Sequence, residues 1–110
     1  MPNKQAPLFP IQAKLLSEFG ERLRLARLRR KFSIDVVCER ADVSRMTLYR
    51  AERGESAVAL GTYLRILSVL KLESDLNRLA ADDKLGQLIQ DSQLPERRVR
   101  ATANFARADV

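Results

Sequence analysis

The sequence predicts an all-α fold, a compact domain of five to six helices that includes a helix-turn-helix. Composition, periodicity and one local pattern point there. At 110 residues, with 45% hydrophobic content, four Gly and four Pro, the chain has room for one compact domain and is too apolar for a disordered segment. Apolar residues recur three and four positions apart, and nowhere with the period of two that a strand requires. Between Ser33 and Gly54, two short amphipathic segments flank a tight turn, the outline of a helix-turn-helix.

The elements follow in order. Pro2, Pro7 and Pro10 interrupt any regular element at the start, so residues 1–11 read as a flexible N-terminal arm. The first helix is expected from about Gln12 to Arg30, where Leu15, Leu16, Phe19, Leu23 and Ala26 repeat with helical spacing and Gly20 is a possible weak point. Ser33 is a good N-cap, and Asp35 places a negative charge in the first turn, so a second helix runs from Ser33 to Arg40. Ala41-Asp42-Val43 forms the turn, with Asp42 the residue best able to adopt a left-handed backbone. Ser44 caps a third helix ending near Arg53, where Gly54 stops it. A fourth helix, from about Ala59 to Leu70, carries the stripe Leu60, Tyr63, Leu64, Leu67 and Leu70. Ser74 is expected to cap a short fifth helix bearing Leu76 and Leu79. After Asp82-Asp83, a last amphipathic piece (Leu85, Leu88, Ile89) precedes Pro95 and the basic cluster Arg97, Arg98 and Arg100. The stripe from Leu76 to Ile89 either completes the core or buries a dimer seam; a small domain gains stability from the latter.

Charge is unevenly distributed. The net charge is +6, and residues 1–32 account for all of it, with eight Lys or Arg against Glu18 and Glu21. Such a patch suits a polyanion, because phosphate neutralisation releases counterions without choosing a sequence. A solvated helix face produces the same run of charge. Cys38 is the sole cysteine and there is no His, which excludes intrachain disulfides and Cys/His metal sites. On its apolar face Cys38 reads as a small packing residue. No cofactor and no metal are expected. No apolar stretch reaches the roughly 18 residues of a membrane span, and MPNKQAPLFP lacks a signal-peptide core, so the expected compartment is the reducing cytoplasm. With no Gly-rich phosphate loop and no nucleophile beside a His, an enzyme is not expected either.

On the third helix, Leu48 and Ala51 take the inward positions, which turns Arg45, Met46, Tyr49 and Arg50 outward. Those four side chains suit base contacts in double-stranded DNA. Arg can bridge guanine O6 and N7, Met can touch a thymine methyl, and Tyr can reach a phosphate or base edge. Ordinary solubility is the alternative for Arg45 and Arg50, and packing on a partner protein for Met46 and Tyr49. Ser33, Ser44 and Thr47, near helix N-termini, are candidate phosphate contacts, although capping alone explains the two serines. Arg22, Arg24, Arg29, Arg30 and Lys31 are further candidates for phosphate.

Leu23, Arg27, Ser33, Val37, Cys38, Val43, Ser44, Thr47, Leu48, Glu52 and Gly54 together resemble the Cro/C1-type (XRE family) helix-turn-helix regulators. The strongest parts are the Leu-xxx-Arg of the first helix and the V-S-xx-T-L-xxx-E-x-G of the third. The resemblance implies a lambda-repressor-like domain over residues 12–81 that binds operator DNA as a homodimer and acts as a transcriptional repressor. It also implies a structural salt bridge between Arg27 and Glu52. Three positions depart from the pattern: Cys38 replaces the usual Ala, Asp42 replaces the usual turn Gly, and Ile34 stands where many members have a phosphate-touching Gln. Residues 82–110 then form a C-terminal extension, a short helix followed by a basic, mobile tail.

The stretch from Leu60 to Leu67, continued by Leu76, Leu79-Ala80-Ala81-Asp82-Asp83 and Leu85-Gly86, is similar to HipB-type antitoxins, the partners of HipA-like serine/threonine kinase toxins. That resemblance implies autoregulation of a type II toxin-antitoxin operon and a kinase toxin as protein partner. A stand-alone phage-type repressor, or a protein-interaction module that has kept the fold, are the alternatives.

Overall fold

A computed structural model describes residues 6–93. Lys4 and the expected basic tail beyond Pro95 lie outside the described residues, as does the start of the arm. The described residues are all helical apart from turns and loops. The helices are α1 (Pro10–Arg29), α2 (Ile34–Ala41), α3 (Arg45–Glu52), α4 (Leu60–Val69) and α5 (Lys84–Gln93), with a 3-10 helix over Glu73–Arg78 between the last two. The chain divides into two compact units, one through Leu76 and one from Asn77.

In the first unit α1 packs on α3, and α2 packs on both α3 and α4. Their shared core is Leu23 and Ala26 from α1, Val37, Cys38 and Ala41 from α2, Leu48 and Ala51 from α3, and Tyr63, Ile66 and Leu67 from α4 with Leu70 just beyond it. Burial pushes the Cys38 thiol up in pKa, so the sulfur sits in the core as a protonated packing group. The Phe19 and Tyr63 rings meet at 5.2 Å. The buried phenol of Tyr63 is satisfied by donating to the Glu55 carbonyl at 2.7 Å, which joins α4 to the loop after α3.

Several boundaries differ from the sequence expectations. Pro10 belongs to α1: its fixed φ and missing N–H suit the first helical position, and Gln12 Oε1 accepts the Phe9 N–H at 3.0 Å. Leu15 and Leu60 are exposed, and Ile66 takes the buried place expected of an apolar stripe. Ser74 lies inside the 3-10 helix and does not cap an α-helix. In the second unit Asp83 caps α5, its carboxylate accepting the Gly86 N–H at 3.0 Å. Leu79, Leu85, Leu88 and Ile89 are exposed.

The ends of α1 to α4 share one device. The backbone turns left-handed at Lys31, Asp42, Gly54 and Lys71. The following N–H reaches back five residues to a carbonyl: Phe32 to Arg27, Val43 to Cys38, Glu55 to Arg50, and Leu72 to Leu67, at 2.8–3.2 Å. These are Schellman closures, and only one uses glycine. A left-handed Lys costs about 1–2 kcal/mol, part of which a glycine would return as unfolded-state entropy. Lys71→Gly is therefore expected to stabilise the domain by about 0.5–1 kcal/mol, read as a higher thermal midpoint.

Candidate nucleic-acid interface

The segment from Ser33 to Gly54 is built by its caps. Ser33 Oγ accepts the Val36 N–H at 3.1 Å and starts α2. Asp42, at φ 58° and ψ 53°, ends it and turns the chain toward α3. Ser44 Oγ then accepts the Thr47 N–H at 3.0 Å and donates to Thr47 Oγ1 at 2.9 Å. Each hydroxyl fills one of the free N–H sites that a helix start leaves open. Arg65 Nε on α4 donates to the Ala41 carbonyl at 2.9 Å, which satisfies the last turn of α2 and ties the turn to α4. Nothing in the sequence marks Arg65 for this task, since a lone Arg on an amphipathic helix reads as solvated charge.

Leu48 and Ala51 are fully buried and anchor α3. Below them Arg27 on α1 grips Glu52 with two contacts, Nε to Oε2 at 2.7 Å and Nη2 to Oε1 at 3.1 Å. The remaining Nη1 donates to the Phe32 carbonyl at 3.2 Å. The pair is buried, with both side chains less than one-tenth exposed. Its hydrogen bonds raise the Arg27 pKa against the opposing effect of burial. Arg27 is thus committed to holding α1 and α3 together. Gly20 and Gly54 bring these helices closer than any other residue would allow. A Cβ on Gly20 would lie 2.7 Å from the Glu52 carbonyl oxygen and 2.8 Å from that of Ala51. The sequence marks Gly20 only as a possible weak point in α1; in the fold its missing side chain permits the contact with α3.

With its inner face fixed, α3 presents Arg45, Met46, Tyr49 and Arg50 to solvent. Met46 is 53% and Tyr49 42% exposed, a large apolar contribution beside two guanidinium groups. Both arginines face carboxylates of their own domain: Arg45 pairs with Asp35, and Arg50 lies 3.9 Å from Glu55, which Arg53 approaches at 3.0 Å. Ser33, Ser44 and Thr47 stand at the two helix N-termini with their capping bonds made.

The basic residues of α1 do not form one track. Arg22 and Arg24, two positions apart, project in opposite senses, and Arg22 and Arg29, seven apart, share a flank. Arg22 sits over the Phe19 ring at 5.9 Å, and Arg24 pairs with Glu21 at 3.2 Å. Arg30 donates to the Ala26 carbonyl at 2.9 Å, and Lys31 occupies the left-handed position that ends α1. Among the described residues no group of His, Cys, Asp and Glu could hold a metal ion, and no helix is long and apolar enough to cross a membrane.

Two short helices joined by a left-handed turn, the second seated by buried Leu48 and Ala51 with its polar face exposed, define a DNA-binding helix-turn-helix. The chain belongs to the helix-turn-helix domain family, whose model matches residues 18–80. No curated protein matches it.

Proposed function

We propose that the chain is a sequence-specific transcriptional repressor that binds operator DNA as a homodimer. The observation that carries this reading is the face of α3. It has two arginines, a Met and a Tyr turned outward, on a helix whose opposite side is fixed by the core and the Arg27–Glu52 pair. In the proposed complex α3 enters the major groove. Arg45, Met46, Tyr49 and Arg50 meet base edges, while Ser33, Ser44 and Thr47 meet phosphate; Arg22, Arg24 and Arg29 of α1, with Arg30 and Lys31 just after it, are the further candidates for phosphate, of which only those on the side facing the duplex take part. A two-fold dimer would read half-sites about 34–36 Å apart. The exposed leucines and isoleucine of α5 supply apolar surface suited to a dimer seam.

Arg50→Ala is expected to relax preference at one base pair by about 1–3 kcal/mol. Arg30→Ala should weaken binding to all sequences alike and reduce the salt slope by about 1. Mobility shifts on DNA upstream of the gene, with single-base variants and a salt series, measure both. If both variants lose affinity with no change in sequence preference, α3 is not the reading element.

Within this reading the resemblance of residues 60–86 to HipB-type antitoxins supports a finer assignment: autoregulation of a type II toxin-antitoxin operon, with a HipA-like kinase toxin as protein partner. Co-purification of the chain with the product of an adjacent kinase-like reading frame tests it. A chain that shifts its own upstream DNA but captures no such kinase is a stand-alone repressor.

A further inference from the structure

The Asp35–Arg45 pair joins the two helices of the helix-turn-helix at their first turns. Arg45 is the first residue of α3, and its Nη2 meets Asp35 Oδ1 from the start of α2. Asp35 is not needed as a cap, because Ser33 already accepts the Val36 N–H. The two side chains are 60% and 68% exposed, and ion pairs that open to water contribute little to stability. A carboxylate on a surface meant for DNA also repels phosphate. Its effect there is on the guanidinium: an unrestrained Arg samples many rotamers and neutralises whichever phosphate is near, whereas one paired at a single nitrogen is biased toward the rotamers that turn its other N–H donors outward, as far as so exposed a pair can bias it.

We propose that Asp35 is a specificity-determining residue, holding the Arg45 guanidinium for bidentate contact with a guanine and keeping it from a phosphate. This inference rests on the reading of α3 given above. Carboxylate and guanidinium act as one unit, so loss of either weakens the same base preference. Loss of Asp35 alone leaves a free cation that strengthens binding to any sequence.

Binding of the full chain to a randomised duplex pool, followed by affinities for single-base variants of the selected site, tests this. Four proteins are compared: the parent, Asp35→Asn, Arg45→Ala and the double variant. Arg45→Ala is expected to lower the preference for one G·C pair about five- to hundredfold. Asp35→Asn should lower preference at that same pair by about two- to fivefold and steepen the salt slope by about 1. The double variant should match Arg45→Ala at that pair. A melting curve reports folding, and Asp35→Ser, also at home in a first helical turn, replaces Asp35→Asn if the latter does not fold. The proposal is overturned if Asp35→Asn keeps the full preference at the pair that Arg45→Ala loses, or if Arg45→Ala loses no preference. A parent protein with no sequence preference at all overturns the repressor reading and this inference with it, so the two failures are told apart.

Discussion

Gly54→Ala is expected to destabilise the domain by about 2–5 kcal/mol. The backbone there has φ +71°, a left-handed conformation that costs a residue with a Cβ about 1–2 kcal/mol. The added carbon would also fall onto the backbone of Leu16 and within 2.8 Å of Ser17 Cα. Backbone cannot swing aside as a side chain can, so α1 and α3 must separate, and overpacking of this kind adds about 1–3 kcal/mol. At about 4–8 °C per kcal/mol the thermal midpoint should fall by about 8 °C or more. Gly20→Ala tests the same seam from the other side. Ala is the better helix former by about 1 kcal/mol, yet its Cβ would meet the carbonyls of Ala51 and Glu52, and a net loss is expected. Gly61→Ala is the control. It lies in α4 with nothing within 4 Å of the added carbon, so the helix preference acts alone and should raise the midpoint. If Gly20→Ala and Gly61→Ala move the midpoint in the same direction, close approach of α1 and α3 is not what the glycine serves.

These glycines also mark where sequence reading stops. The helix-turn-helix was legible because its signals are local. Ser33 and Ser44 stand immediately before apolar-periodic segments, and Asp42 can turn left-handed within its own neighbourhood. The left-handed ends at Lys31 and Lys71 were invisible for the same reason, since Lys carries no such preference and the closure is imposed by packing of the following Phe32 and Leu72. In α4 nearly every side of the helix is apolar, so periodicity could not choose between Leu60 and Ile66; only the positions of α2 and the loop after α3 decide. Gly20 looks like a helix defect until α3 is placed against it. The outward set Arg45, Met46, Tyr49 and Arg50 followed from the inward pair Leu48 and Ala51, because one face of a short helix determines the other. That Asp35 and Glu55 lie against three of the arginines of this segment depends on where side chains end in space, which spacing does not report.

Removing the partner of Arg27 should be the most damaging change that introduces no collision. Glu52→Ala leaves Arg27, a residue only 8% exposed, with just the Phe32 carbonyl to accept from its guanidinium. Breaking a buried pair in this way costs about 3–5 kcal/mol, a large part of the roughly 5–15 kcal/mol that holds a domain together. Arg27 cannot escape by losing its proton, because a guanidinium stays charged at any ordinary pH even with its partner gone. In the parent its folded pKa is raised by the bond to Glu52 above an already alkaline value, so the stability it contributes is fully present below that ordinary value and is lost only as pH rises through the folded one. Between pH 6 and 9 the Arg27 contribution is therefore constant, and the deficit of Glu52→Ala should not shrink across that range. The double variant Arg27→Met/Glu52→Leu removes both charges while keeping volume, and it should recover most of the loss, since a well-packed apolar pair is often as stable as a buried ion pair. Denaturant midpoints of the parent, the single variant and the double variant give the comparison. Should Glu52→Ala melt within a degree or two of the parent, the pair is not what seats α3, and Leu48 and Ala51 alone must hold its exposed face in place.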